Sequence, residues 1–172
     1  MKNLIFGLLT LISFSLFAAN DAAPAKKIPK VLLIGDSISK GYTPYVIEMM
    51  REEALVTHNK GNAGPAMRGL ENIDEWLAVD EWDVIHFNWG LHDMYLWNYR
   101  ESDRAPAAYE KRLDALALRL KKTGAKLIWA TTTPACPEAE KKCEVQIDPA
   151  TERQFLEAAM RVMKKHKIQV ND

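Results

Sequence analysis

The chain has 172 residues, 48% of them apolar, and 23 Lys and Arg balance 23 Asp and Glu. That length suits one domain, and that apolar content supports a core, which excludes a disordered chain. A net charge of zero without a basic stripe speaks against a nucleic-acid partner. The short basic runs "KKTGAK" and "KKHK" fall at expected helix ends, where they complement the helix dipole.

Lys2 precedes an apolar run from Leu4 to Phe17, and Ala18 and Ala19 follow. This is a positive start, a hydrophobic stretch and a small-residue cleavage zone, so residues 1–19 read as a signal peptide. The run is too short to span a membrane comfortably, so stable insertion after cleavage is not expected. Residues 20–29 read as a flexible leader and residues 30–172 as the domain. The expected destination is outside the cytoplasm, secreted or periplasmic.

The domain alternates short apolar runs with amphipathic ones. "KVLLIG" (30–35) predicts a strand apolar on both faces, as in a buried parallel sheet. Residues 43–54 predict a helix, with Thr43 as cap and Pro44 at the first helical position. "LVTHN" (55–59) predicts strand two, 61–69 a turn-rich loop and 70–79 a helix. "WDVIHFNWG" (82–90) predicts strand three. Residues 106–124 form the clearest helix, with an apolar stripe of leucines and Gly124 to end it. Residues 125–133 predict strand four, 149–167 a helix, and 168–170 the start of strand five. This alternation predicts an α/β fold with a parallel sheet and right-handed crossovers.

In such sheets functional residues gather at the carboxyl ends of strands. Those ends carry Gly35-Asp36-Ser37, the run Asn59 to Gly64, the run Asn88 to Asp93, and Thr131 to Pro134. Ser37 falls where strand one turns into a helix. It could cap that helix, bind an anion, or act as a nucleophile. A serine nucleophile needs a base and donors aimed at the developing oxyanion. Gly64 lacks a side chain, so its N–H can approach a ligand, and His92 or Asn88 can supply a side-chain donor. The spacing of a phosphate-binding loop is absent, so no nucleotide is expected.

"GDSIS", then "NKGNAG", then "NWGLHD" resemble the first three blocks of the SGNH/GDSL hydrolases, in order and on the expected elements. The resemblance implies a flavodoxin-like three-layer α/β/α sandwich with a parallel sheet of about five strands. It implies hydrolysis of acyl esters, often acetyl groups on carbohydrates, with no cofactor and no metal. Ser37 is then the nucleophile, and the N–H groups of Ser37 and Gly64 are two oxyanion donors. The family's third block reads Gly-x-Asn-Asp, with the asparagine as third donor. Here Gly90-Leu91-His92-Asp93 stands in that place, so His92 takes the role, with Asn88 as the alternative. Asp36 and Asp93 are expected to support their loops.

The family's base lies in a last block, Asp-x-x-His, after the fifth strand. No such block follows "KIQVND", so the chain reads as C-terminally truncated and impaired in catalysis. Asp83-Val84-Ile85-His86 has the spacing but lies inside strand three, where His86 is expected to be structural. His166 reads as part of a solvated helix end, and His58 is a weak candidate base. The alternative reading is a non-catalytic carbohydrate-binding domain derived from the same fold. The expected partner is a small-molecule or carbohydrate ester, and no nucleic acid.

Tyr95 and Trp97 follow the third block. They either line the substrate or pack beneath the loop. Cys136 and Cys143 flank a polar loop. In an exported protein they are expected to form a local disulfide worth about 2–3 kcal/mol, the alternative being two free thiols.

Overall fold

The computed structural model describes residues 27–94, 104–134 and 147–172. The stretch expected to be a signal peptide, Tyr95, Trp97 and the two cysteines, Cys136 and Cys143, lie outside the described residues. Five strands form one sheet: β1 (Lys30–Ile34), β2 (Leu55–His58), β3 (Val84–Phe87), β4 (Lys126–Ala130) and β5 (Gln169–Asn171). All pairs are parallel and the order is β2-β1-β3-β4-β5. Strands two and three therefore flank strand one, as the convergence of three loops requires. The order reverses beside β1, and in open α/β sheets that is where ligands bind.

Five helices complete the described fold: α1 (Ser37–Met50), α2 (Ala66–Leu77), α3 (Leu91–Met94), α4 (Pro106–Lys121) and α5 (Pro149–His166). On one face α2 packs on α4, and α4 on α5. Every second strand residue points there: Leu32 and Ile34, Ile85 and Phe87, Leu127 and Trp129 all join its core. They meet Ile73 and Trp76 of α2, Leu113 and Leu116 of α4, and Phe155 and Val162 of α5. α1 packs on β1 and β2 on the other face, giving the three layers.

Three expectations need correction. First, α2 begins at Ala66, inside the stretch expected as a loop. The helix after β1 starts at Ser37, not Thr43, and Pro44 lies inside it. Asp36 supplies the cap by accepting the Ile38 N–H at 2.9 Å. Pro44 has no N–H to donate back to Lys40, and the helix continues through that missing bond. Thr43 is no cap: its hydroxyl donates to the Ser39 carbonyl at 2.7 Å. His166 is also not solvated. It is 8% exposed, and its Nε2 lies 2.6 Å from Asp114 Oδ1, because the last turn of α5 packs on α4.

Candidate active site

The first loop is built around Gly35. A Cβ there would lie 2.6 Å from Ser39 Oγ, so only glycine lets the first turn of α1 tuck beneath the strand end. The Gly35 N–H donates to the buried Asn59 side chain at 3.0 Å, joining the ends of β1 and β2. Asp36 caps α1, and its carbonyl accepts the Lys40 N–H at 3.1 Å. This leaves Ser37 exposed as the first residue of α1. The first N–H groups of a helix have no acceptor within the helix, and the dipole makes that end positive. Asp36 takes the Ile38 N–H, so the Ser37 N–H remains for a ligand.

The second loop reaches the first through the Ala63 N–H, which donates to the Gly35 carbonyl at 3.0 Å. Gly64 follows with φ +56°, a backbone conformation that side chains disfavour. A Cβ there would also lie 3.1 Å from the Arg68 side chain. The Gly64 N–H donates to Asn62 Oδ1 at 2.7 Å.

The third loop leaves β3 at Asn88. The Asn88 amide group donates to the Ala130 carbonyl at 2.8 Å and to Thr132 Oγ1 at 3.3 Å, so it is spent on the end of β4. His92, on the single turn α3, sets Nε2 3.4 Å from Asp36 Oδ2, and both side chains are largely buried. Burial lowers the His92 pKa, Asp36 opposes that shift, and the Arg68 cation adds to it. The imidazole is therefore neutral at pH 7 and carries one N–H. Asp93 is buried, with both carboxyl oxygens 3.0 Å from the Ala66 N–H. It thus ties the third loop to the start of α2. Burial pushes its carboxyl up to about 7, against the pull of the Ala66 N–H and the Arg112 charge.

The predicted residues Ser37, Asp36 and His92 thus meet at one edge, with Gly64 joined to them through Ala63. Asn88 lines a cavity of about 80 Å³ together with Asp36, Ser39, Tyr42, Leu91 and Thr132, so it borders the same edge although its amide group is spent. The remaining histidines are engaged elsewhere. His58 Nδ1 lies 2.7 Å from the Asn59 carbonyl, so it is the donor there, and Nε2 faces Ser39 Oγ at 2.7 Å. His86 Nε2 lies 3.3 Å from the Asn171 amide, on the sheet face away from the main core. Sequence reasoning passed over two of these contacts. The Asn62–Gly64 bond had a signal, since asparagine often bonds the backbone two residues on. The Ser39–His58 pair had none, because it joins residues on different elements. Among the described residues no cluster of three or more His, Cys, Asp or Glu is placed to hold a metal.

No protein-family model matches this chain, and no curated protein does. Solved structures do resemble it. An acetyl xylan esterase, AlAXEase, matches at TM-score 0.64 and 14% identity, over 82% of this chain and 75% of that one. A lipase/acylhydrolase from Enterococcus faecalis matches at TM-score 0.65 and 18% identity, over 84% and 75%. A GDSL-like lipase from Bacteroides thetaiotaomicron matches at TM-score 0.64 and 16% identity, over 87% and 70%. At these identities the likeness is one of fold.

Proposed function

We propose that this chain, which has the fold of the SGNH/GDSL hydrolases, is an exported serine esterase acting on acyl esters, acetyl esters of carbohydrates foremost. The observation that carries the reading is Ser37. It is an exposed hydroxyl on the first residue of a 14-residue helix, beside its own uncommitted N–H and between two loops rich in donors. The acetyl xylan esterases among the similar structures support the acetyl and carbohydrate part. The N-terminal pattern supports export.

Ser37 Oγ attacks the ester carbonyl carbon, and the carbonyl oxygen takes up negative charge. The N–H groups of Ser37 and Gly64 stabilise that charge, joined by the single N–H of the neutral His92 imidazole once it turns from Asp36 to the oxyanion. The tetrahedral species expels the alcohol, which leaves carrying the proton that the Ser37 hydroxyl has lost, and an acyl-enzyme remains. Water then adds to the acyl carbon and releases the acid and free Ser37. Asp36 and Asp93 touch no substrate; they hold the loops that carry the donors. Tyr95 and Trp97 are proposed to line the sugar side.

His58, His86 and His166 are each bound to other partners, and His92 faces Asp36. Turnover by these 172 residues is accordingly proposed to be slow, with the oxyanion donors supplying what remains. The same observation keeps a second reading in play, a domain that binds carbohydrate without cleaving it. A fluorophosphonate probe tests both. Labelling at Ser37 that vanishes in Ser37→Ala supports the esterase. Glycan binding without labelling of the wild type overturns it in favour of the binding domain. Vigorous, Ser37-dependent hydrolysis of p-nitrophenyl acetate would instead show that these 172 residues do supply a base.

A further inference from the structure

The free protein holds its oxyanion donors unequally. The Ser37 N–H stands at the open start of α1. The Gly64 N–H is already used, because it donates to Asn62 Oδ1 at 2.7 Å. An amide carries one hydrogen, and at this distance the bond to Asn62 is a full one. The same hydrogen cannot be fully shared with a substrate oxygen. Asn62 itself is half-buried on the loop between β2 and α2. The main-chain path of the loop does not need this bond to stay in place. Ala63 is held to Gly35 at 3.0 Å, and Ala66 to Asp93 at 3.0 Å, on either side of Gly64. Gly64 can therefore stay where it is while the Asn62 side chain leaves.

We propose that Asn62 is a positioning residue that covers the Gly64 amide in the free protein and gives it up when an acyl group enters. The inference rests on the esterase reading, in which Gly64 is an oxyanion donor. Formation of the tetrahedral species then exchanges one acceptor for another, a neutral amide oxygen for a charged one. The exchange favours the oxyanion, since charge-assisted bonds are the stronger. It also costs the resting enzyme part of its reactivity, because the covering bond must break first. Substrates with poorly developing charge would gain least from the exchange.

Two substitutions separate this from a purely structural turn. Asn62→Ala removes the covering oxygen, and Asn62→Asp replaces it with a stronger acceptor of the same shape. The rate constant for fluorophosphonate labelling of Ser37 is measured for each, alongside thermal unfolding and hydrogen exchange of the Gly64 amide. Asn62→Ala is expected to label about 3- to 10-fold faster and to lose Gly64 protection. Asn62→Asp is expected to label slower while Gly64 stays protected. If Asn62 only braces the turn, Asn62→Ala labels slower or at the wild-type rate, and the proposal falls. Unchanged Gly64 protection in Asn62→Ala also overturns it, whatever the labelling. Absence of labelling in all three proteins, with Gly64 deprotected in Asn62→Ala, sinks the esterase reading itself and the proposed role with it.

Discussion

The two faces of the sheet are built differently. On the face of α2, α4 and α5, Ile85, Phe87, Leu113, Leu116 and Trp129 are all at 0% exposure. On the other face α1 buries only Ser39 and Thr43, and leaves Tyr45 at 71% and Met49 at 74% exposure. The first face is closed by apolar packing. The second is tied down by polar links near the strand ends: Ser39 to His58, Asp36 to Ile38, Gly35 to Asn59. The candidate nucleophile rides on the second. Stability and reactivity are thus assigned to opposite sides of one sheet, so substitutions on the two sides should separate them.

The hardest blow to the packed face is Phe87→Ala. Phe87 lies in the core cluster and packs its ring 5.9 Å from that of Trp89. Truncation is expected to cost about 3–5 kcal/mol, since a cavity opens in a layer that cannot collapse onto it. Denaturant unfolding would measure it. A loss below about 1 kcal/mol would mean that this face is not the stabilising one.

The same asymmetry governs what the sequence made legible. Continuous apolar runs such as "KVLLI" and the leucine stripe of α4 report the packed face directly, because burial on both sides leaves no other composition. The placement of β2 and β3 beside β1 is what lets their three loops meet, and from sequence alone that placement is only a condition. The second face is less legible, because it relies on single polar contacts. Thr43-Pro44 carries the signature of a helix start, yet Asp36 seven residues earlier caps the helix. His166 sits in a basic run that looks solvated, and only the approach of α4 brings Asp114 to it. At the candidate site, the blocks single out Ser37, Gly64 and His92 as the residues to look at. The contacts of His92 with Asp36 and of Gly64 with Asn62 set what those residues are free to do, and the first joins separate elements.

Asp93 sharpens the comparison, because it is a titratable group buried where the packed face meets the site. Its carboxyl is pushed from the ordinary 3.8 up to about 7 by burial, so the folded state holds the proton more tightly than the unfolded chain. Its stabilising contribution is then fully present below about pH 4 and is lost as pH rises through about 7. The Asp93→Asn side chain keeps one oxygen for the Ala66 N–H and cannot ionise. The difference in stability between wild type and Asp93→Asn should therefore shift against the wild type by a few kcal/mol between about pH 4 and 7, and stay flat above. A constant difference across that range would show that Asp93 does not carry a raised pKa.

The smallest effect is expected on α1. Tyr45 and Met49 lie four residues apart on its outer side, both mostly exposed. Gln is a good helix former, so Tyr45→Gln and Met49→Gln keep the helix while removing the apolar groups. Each should change stability by less than about 0.5 kcal/mol, the usual range for a surface site. The pair stands at i, i+4 spacing, so a departure from additivity of about 0.2–0.5 kcal/mol is expected from direct contact between the two side chains. Thermal unfolding of the double variant, with Ser37 labelling measured beside it, reads both halves of the contrast. A loss of about 2 kcal/mol or more would mean that this side of α1 is packed in solution, and the two faces would then share the work of holding the fold. An unchanged midpoint with unchanged labelling would leave α1 as the carrier of Ser37, fixed at its first turn by Asp36, Ser39 and His58 rather than by its outer surface.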